Sequence, residues 1–295
     1  MPIDVARYHA WQGTPGSAWR GVWAMVRMGL VQVFRRKSYW VVLVLGLFQF
    51  LAFWAVIWAV TQLKDLPTEA REAMLEGFGF SASPRPGKEN GYTMFVERQS
   101  VVVMILLTFT GSLLVGGDFR AGALGFYLSR SIDRRHYIVG KLLTVGLLVT
   151  LLTTLPALLL FVEYGMFTSS FDYWRAQWQI PLAVIFYGAV LSVVLSILLV
   201  TISSYLQRMA PIAITWASLF VLLRAVRGLM KERSIYWGLI DPWRDMHFVG
   251  RLAFDQFRND DERRFAYWAA GLLTAVCAIA LLALVRRVRA VEIVE

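Results

Sequence analysis

Residues that could support catalysis or metal binding are few and widely separated along the chain. The single cysteine, Cys277, lies in an apolar run, and His9, His136 and His247 lie in three different polar segments. The sequence contains no HExxH pair, no G-x-S-x-G nucleophile elbow and no carboxylate pair at catalytic spacing within an apolar run. We therefore expect neither a metal site nor an enzyme active site, and one cysteine cannot build a disulfide framework within a chain.

Nucleotide binding is equally unsupported by motifs. A phosphate loop needs a glycine five residues before a Gly-Lys pair and a hydroxyl residue after it. Gly87-Lys88 and Gly140-Lys141 lack both features. We expect no cofactor in this chain and no ATP or Mg²⁺ bound by it.

The composition indicates a membrane protein. Apolar residues make up 58% of the 295 residues and charged residues 17%, against roughly 45–50% and about 25% in soluble domains. The net charge of +10 comes from basic residues that flank apolar runs, such as Arg35, Arg36 and Lys37. This distribution favours anionic lipid headgroups over nucleic acid as the partner.

Apolar runs of the length needed to cross a bilayer, roughly 20 residues, recur along the chain. We place six spans at about 38–63, 99–117, 142–162, 178–205, 209–230 and 265–285. The charge-free part of the fifth is only 15 residues long, 209–223, and carries Pro211, so the segment spans only if Arg224 and Arg227 reach the interface. The alternative is a re-entrant hairpin, which leaves five spans. We expect an all-α, six-span fold, with residues 1–37 as a cytoplasmic N-terminus and 38–295 as the transmembrane domain.

The first span sets the expected orientation. Arg35, Arg36 and Lys37 precede it, whereas Lys64 beside Asp65 follows it, so the N-terminus is expected in the cytoplasm. Six spans return the C-terminus to the same side. The two long outer loops, 64–98 and 224–264, are expected to contain helices, the first of them capped by Asp65.

A helix is predicted before the first span. Apolar residues recur at spacings of three and four, which is typical of a helix with one apolar face. They are Trp19, Val22, Trp23, Val26, Leu30, Val33 and Phe34. Arg20 and Arg27 share another face, so we expect an amphipathic helix lying in the cytoplasmic membrane interface. The alternative is an amphipathic helix packed on protein.

Ionisable groups inside the spans are almost absent, which argues against a proton- or sodium-coupled carrier. Glu163 and Arg98 are placed at the outer interface. Other polar residues are expected to join helices, with the lining of a path as the alternative. They are Gln49, Thr108, Thr110, Ser192 and Ser196. Trp237 and Trp243, in the last outer loop, are assigned to an aromatic belt, with contact to a sugar or lipid substrate as the alternative.

The loop between the second and third spans, residues 117–141, mixes apolar and charged residues too closely for a solvated linker. Leu124, Tyr127 and Leu128 fall on one face of a short helix, and Asp133 is placed as N-cap of the next helix. A short helix with an apolar face outside the bilayer is expected to bind a protein partner. The alternative is that it lies on lipid headgroups.

This loop resembles a segment of the permease subunits of type 2 ABC exporters. The matching residues are Asp118, Gly122-Ala123, the run from Leu128 to Arg134, and Gly140-Lys141 at the entry to the third span. Ala123 stands where the family has Thr, and Ser131 where it has Pro. The N-terminal helix, the six spans and the long outer segment before the sixth also match the family's layout.

The resemblance implies a membrane-spanning exporter subunit, not an enzyme, in the bacterial inner membrane. Two such permeases would pair, as a homodimer or with a similar chain, and two ATPase subunits binding ATP and Mg²⁺ would dock beneath them. The loop would be the coupling helix, and its coupling residues would be Asp118, Gly122, Leu124, Leu128, Arg130 and Arg134. The alternative function is an ATPase-coupled membrane anchor or mechanotransmitter that moves no solute. The sequence does not select a cargo.

Overall fold

A computed structural model describes residues 17–63, 67–80, 90–122, 133–168, 171–230 and 234–292. All regular structure in these ranges is helical. We number ten helices: α1 (Ala18–Phe34), α2 (Lys37–Gln62), α3 (Thr68–Phe78), α4 (Gly91–Arg120), α5 (Arg134–Thr168), α6 (Phe171–Ala176), α7 (Gln179–Leu206), α8 (Met209–Met230), α9 (Pro242–Leu252) and α10 (Asp260–Glu292). A 3₁₀ turn, Ile235–Ile240, precedes α9.

Six of these helices, α2, α4, α5, α7, α8 and α10, are long and apolar enough to cross a membrane. The six-span, all-helical prediction is confirmed at this level. The fifth span, α8, is one helix of 22 residues. At about 1.5 Å per residue it reaches about 33 Å, which suffices for a hydrocarbon core of about 30 Å without a re-entrant turn.

The helices of the second and third spans extend beyond the predicted membrane-spanning runs. α4 begins at Gly91, before the predicted run 99–117, and α5 runs from Arg134 to Thr168, beyond both ends of the predicted run 142–162. The helices continue through charged residues because those residues find partners. Arg98, for example, donates to the Gly77 carbonyl at 3.0 Å and lies 5.2 Å from the centre of the Phe78 ring.

Three spans contain irregular turns among the described residues. α4 and α8 include π-helical turns, at Ser112–Gly116 and Ser218–Leu222. α5 is interrupted at Thr153, where Pro156 has no N–H to donate to the Leu152 carbonyl. These irregularities lie inside the apolar runs, so hydropathy alone did not predict them.

α7 is the central span. Two thirds of its most apolar 18-residue window, 67%, is buried inside the protein, against 22% for α2 and 17% for α8 and α10. It packs closely on α5, where Gly188 faces Thr154 and the hydroxyls of Thr150 and Ser192 lie 3.0 Å apart. Small and hydroxyl residues commonly join helices in this way within membranes. Ser192 therefore joins helices, as expected.

The connections between spans meet at two ends of the bundle. At one end, the Asn90 N–H donates to Oε1 of Gln256 at 3.1 Å, and the hydroxyls of Tyr92 and Tyr173 lie 3.3 Å apart. At the other end, Asp118 contacts Lys141. This grouping is the one expected when successive spans cross in alternating directions. The former end also holds α3 and α9, so both long loops contain helices as predicted. Asp65, predicted to cap the first, lies outside the described residues, and Pro67 occupies the N-cap position of α3 instead.

Candidate functional site

Three of the six predicted coupling residues, Asp118, Gly122 and Arg134, lie at the base of the loop between α4 and α5. Asp118 lies in the last turn of α4, and Gly122 follows with a φ of 62°. This left-handed conformation suits glycine. Arg134 is the first residue of α5. Leu124, Leu128 and Arg130 lie outside the described residues.

A compact ion pair joins the two sides of this loop. The Lys141 ammonium lies 2.7 Å from Oδ2 of Asp118, and the Tyr137 hydroxyl donates to the same oxygen at 3.0 Å. Lys141 is 8% exposed. The carboxylate of Asp118, one of the predicted coupling residues, is therefore engaged within the chain.

The π-helical turn completes the environment of Lys141. Its ammonium donates to the Leu114 carbonyl at 2.6 Å, inside Ser112–Gly116. The ammonium also lies 5.6 Å from the centre of the Tyr137 ring. A carboxylate, a carbonyl and an aromatic face together compensate the loss of hydration of a nearly buried cation.

The tight turn between α7 and α8 packs against the same place. Gln207 has a φ of 56°, and a Cβ at Gly116 would lie 2.5 Å from the Gln207 carbonyl oxygen. Only glycine permits this approach of two backbones. The ends of α4, α5 and α7 therefore meet around the Asp118–Lys141 pair, which we call the loop-base cluster.

α1 packs on the first half of α5, beside the loop-base cluster. Its buried residues are Val22, Val26, Gly29 and Val33. Gly29 faces Thr144 and Leu114, and the Trp19 ring lies edge-on to His136 at 5.5 Å. The helix and its amphipathic character were predicted. The apolar face, however, divides into a part buried on α5 and a part that includes Trp19 and Trp23, which are 62% and 64% exposed.

Arg20 and Arg27 are exposed on α1, as expected for a basic face. Asp133 occupies the N-cap position of α5, as predicted, but its side chain accepts no hydrogen bond from the described residues. Tyr137 and Lys141, in the first turns of this helix, instead hold its start against Asp118 at the end of α4. Both of these residues were missed as partners of Asp118.

A second polar cluster lies at the opposite end of the bundle, on α9. Asp241 accepts hydrogen bonds from the backbone N–H groups of Trp243 and Arg244, and the Arg227 Nε lies 3.3 Å from its Oδ2. Arg227, expected to extend toward the interface, thus pairs within the protein. Trp243 is 4% exposed and belongs to the core rather than to an aromatic belt.

Buried ionisable groups continue along α9. The Tyr187 hydroxyl of α7 lies 2.9 Å from Nδ1 of His247, and the Arg251 guanidinium lies 3.4 Å from Oε2 of Glu262. Asp245 is 1% exposed. Burial, reinforced by the charge of Asp241 and opposed by Arg244, raises the pKa of Asp245 to about 7.

This α9 cluster was missed because its residues look solvent-exposed by composition. Asp241 followed by Pro242 is a helix-start signal, with an acidic N-cap and proline at the first helical position. Trp243 and Met246 then recur at a helical spacing toward the core. These signals predict the helix, but the pairing of its charges depends on the tertiary structure.

Glu163 is buried inside the protein near one end of α5. It was placed at the outer interface, and in α5 it is 8% exposed, with no hydrogen-bond partner for either carboxylate oxygen among the described residues. The hydroxyls of Thr108 and Thr110 donate to carbonyls of their own helix four residues earlier. That arrangement satisfies them without forming a polar path.

Within the described ranges, no group of three or more His, Cys, Asp or Glu residues is placed to hold a metal ion. The loop-base cluster joins the ends of three helices. Comparison with protein-family models and with curated proteins found no match for this chain.

Proposed function

We propose that this chain is the membrane-spanning permease subunit of an ATP-driven exporter of the type 2 ABC class. It would reside in the bacterial inner membrane with both termini in the cytoplasm. ATP and Mg²⁺ would bind to separate ATPase subunits, because the sequence has no phosphate loop. The proposal starts from the resemblance of residues 117–141 to the coupling segment of that family.

The observation that carries the proposal is the Asp118–Lys141 ion pair at the base of that segment. A loop with independent ends can absorb a push by bending, without moving the helices on either side. Here the 2.7 Å contact ties the end of α4 to α5, and Gly116 brings the α7–α8 turn against the same point. A force applied to the loop would therefore reach three spans together.

In this mechanism Asp118 is a positioning residue. Its carboxylate holds Lys141 and Tyr137, so that closure of an ATPase dimer against the loop would move α4 and α5 as one unit. Leu124 and Leu128 would supply the apolar contact with the ATPase. An apolar pair burying about 100–200 Å² would contribute roughly 2.5–5 kcal/mol before ordering costs, at about 25 cal/mol per Å².

A second permease copy is part of the proposal. The outward faces of α2 and α8 are apolar and open, with Val41 and Phe48 each 71% exposed and Val221 68% exposed. Either lipid or a second copy would cover these faces. An exporter of this class requires the second copy, as a homodimer or with a similar chain.

The decisive experiment is reconstitution. The chain is co-expressed with a phosphate-loop ATPase encoded by a neighbouring reading frame, purified as a complex and placed in lipid vesicles. We expect stoichiometric co-purification, with ATP hydrolysis stimulated by the permease. Replacing both Leu124 and Leu128 by alanine should weaken docking while leaving membrane insertion intact. Unchanged docking and unchanged stimulated hydrolysis in that variant would remove the loop from the mechanism.

Transport separates the exporter from the anchor or mechanotransmitter. Cells carrying the intact complex and cells with an inactive ATPase are compared for compounds and lipids appearing outside the inner membrane. An exporter should produce an ATP-dependent difference. Stimulated hydrolysis without any such difference would instead favour the mechanotransmitter.

A further inference from the structure

The exposed side of α1 carries a groove lined by residues of α1 and its C-cap, Arg35. Its volume is about 380 Å³, and its lining is apolar in the middle and basic at one side. The lining residues are Trp23, Val26, Arg27, Leu30, Val31, Phe34 and Arg35. These positions recur at spacings of three and four, so the groove follows the helix axis.

The apolar part of the groove is open rather than covered by the bundle. Val26 is fully buried against α5, but Trp23 is 64% exposed and Val31 38% exposed. An aromatic ring and aliphatic side chains in a line are suited to a hydrocarbon chain. The exposed Trp rings at this end also fit the headgroup level of a bilayer.

The charge of this segment has one sign. Residues 18–40 contain Arg20, Arg27, Arg35, Arg36 and Lys37 and no Asp or Glu. Neither Arg27 nor Arg35 is paired with a carboxylate in the part of the chain that the structure describes. Two exposed guanidinium groups beside an apolar groove therefore offer a site for an anion with an apolar tail.

The position of the groove matches the level of a membrane surface. α1 leads directly into the first span, α2, and the Trp40 indole N–H donates to the Phe34 carbonyl at 2.9 Å. This bond fixes the groove beside the point at which the chain enters the apolar run. A lipid headgroup at that level would face Arg35 and Arg27, which lie on the same face of α1, about 12 Å apart along its axis at 1.5 Å per residue.

We propose that this groove binds an anionic phospholipid of the adjacent leaflet. One acyl chain lies along Trp23, Leu30 and Phe34, and the phosphate contacts Arg27 and Arg35. The site does not depend on ATP or on export. It would hold α1 on the membrane surface, and through Gly29 and Thr144 it would fix the position of the first half of α5.

The test is lipid retention by the purified full-length chain. Detergent-purified protein is delipidated, and phosphatidylglycerol or phosphatidylcholine is added back in steps. Native mass spectrometry counts the bound lipids and reports the oligomeric state at the same time. We expect one phosphatidylglycerol to bind more tightly than phosphatidylcholine does.

Two variants address the two parts of the site. Arg27→Ala with Arg35→Ala should weaken phosphatidylglycerol binding about 30-fold, or about 2 kcal/mol at 1.4 kcal/mol per tenfold change. Val31→Trp fills the groove without changing charge and should abolish the tight site. The matched control is Arg258→Ala with Arg264→Ala, which removes the same charge from two exposed positions near α9 and should leave binding unchanged.

Thermal unfolding of each variant in detergent checks the fold, and the exposed positions of Arg27, Arg35 and Val31 predict unchanged midpoints. Equal affinity for the two lipids, or wild-type phosphatidylglycerol binding in either groove variant, would overturn the proposal. If a groove variant loses its dimer but keeps wild-type lipid binding, the proposal is also overturned, and the occupant of the groove is a second copy of the chain.

Discussion

The Asp118–Lys141 pair makes a quantitative prediction through a double-mutant cycle. The cycle compares Asp118→Asn, Lys141→Met and the double variant with the wild type. Removing one partner of a fully buried pair costs about 3–5 kcal/mol. Here the side chains retain 18% and 11% of their exposure, and each keeps a hydrogen-bond partner, so we expect about 2–3 kcal/mol for each single variant, below the fully buried range.

The double variant leaves no uncompensated charge at the site. It should be destabilised by less than the sum of the single variants, with a coupling energy of about 1–3 kcal/mol. The measurement is the free energy of unfolding in mixed micelles, from reversible denaturant titration. Additivity within about 0.5 kcal/mol would refute the conclusion that the two charges act as a unit.

A second ion pair in the chain has the same contact distance but is exposed to solvent, so it serves as the control. Arg263 lies 2.7 Å from Oδ1 of Asp255, but their side chains are 46% and 76% exposed. Arg263→Met with Asp255→Asn should show a coupling energy of at most about 1 kcal/mol. A large coupling energy in this exposed pair would mean that the assay reports something other than burial of the ion pair.

Four further predictions follow from topology, charge and burial. A membrane-impermeant thiol reagent applied to intact cells should not label a cysteine placed at Ser131; labelling would contradict the cytoplasmic location of the loop. Because burial raises the pKa of Asp245 to about 7, the folded state retains a proton that the unfolded state loses above about pH 4. Stability should therefore fall between about pH 4 and pH 8, by up to about 4 kcal/mol, and Asp245→Asn should flatten the pH dependence of thermal unfolding. Glu163→Gln should leave ATP-dependent transport unchanged. If Glu163→Gln lowers transport and the control Ser192→Ala does not, the carboxylate takes part in ion coupling. An insertion within residues 84–88 should be tolerated better than one within residues 236–243, as judged by expression level; equal loss at both sites would contradict the anchoring of the latter segment.

Hydropathy identified five spans from their long charge-free runs, whereas the remaining one required a run of 15 residues, 209–223, to be extended past Arg224 and Arg227. The helices α4 and α5 begin before the predicted spans, because a charge-free criterion stops at Arg98 and Lys141. Both residues continue a helix because each has a partner, the Gly77 carbonyl for Arg98 and Asp118 for Lys141. Because the partners are distant in sequence, no local sequence pattern predicts such pairing.

The same reasoning explains the missed α9 cluster. Asp241, Asp245 and Arg251 are charged residues in a long loop, a composition usually found in contact with water. In the structure they are at most 4% exposed, because carboxylates and guanidinium groups from α8, α9 and α10 meet there. Sequence identifies the residues and the helix start, but the compensating charges are supplied by three separate segments.

The two clusters occupy opposite ends of the bundle and share α7. At one end its last turn leads to Gln207 beside Gly116, and at the other Tyr187 contacts His247 and Gly250 of α9. α7 is also the most buried span. If a force applied to the loop moves the end of α7, the rigid packing of this helix carries the displacement toward α9, since close-packed interiors transmit strain. The α9 cluster is therefore the place at the far end where a movement of the loop should first be detected.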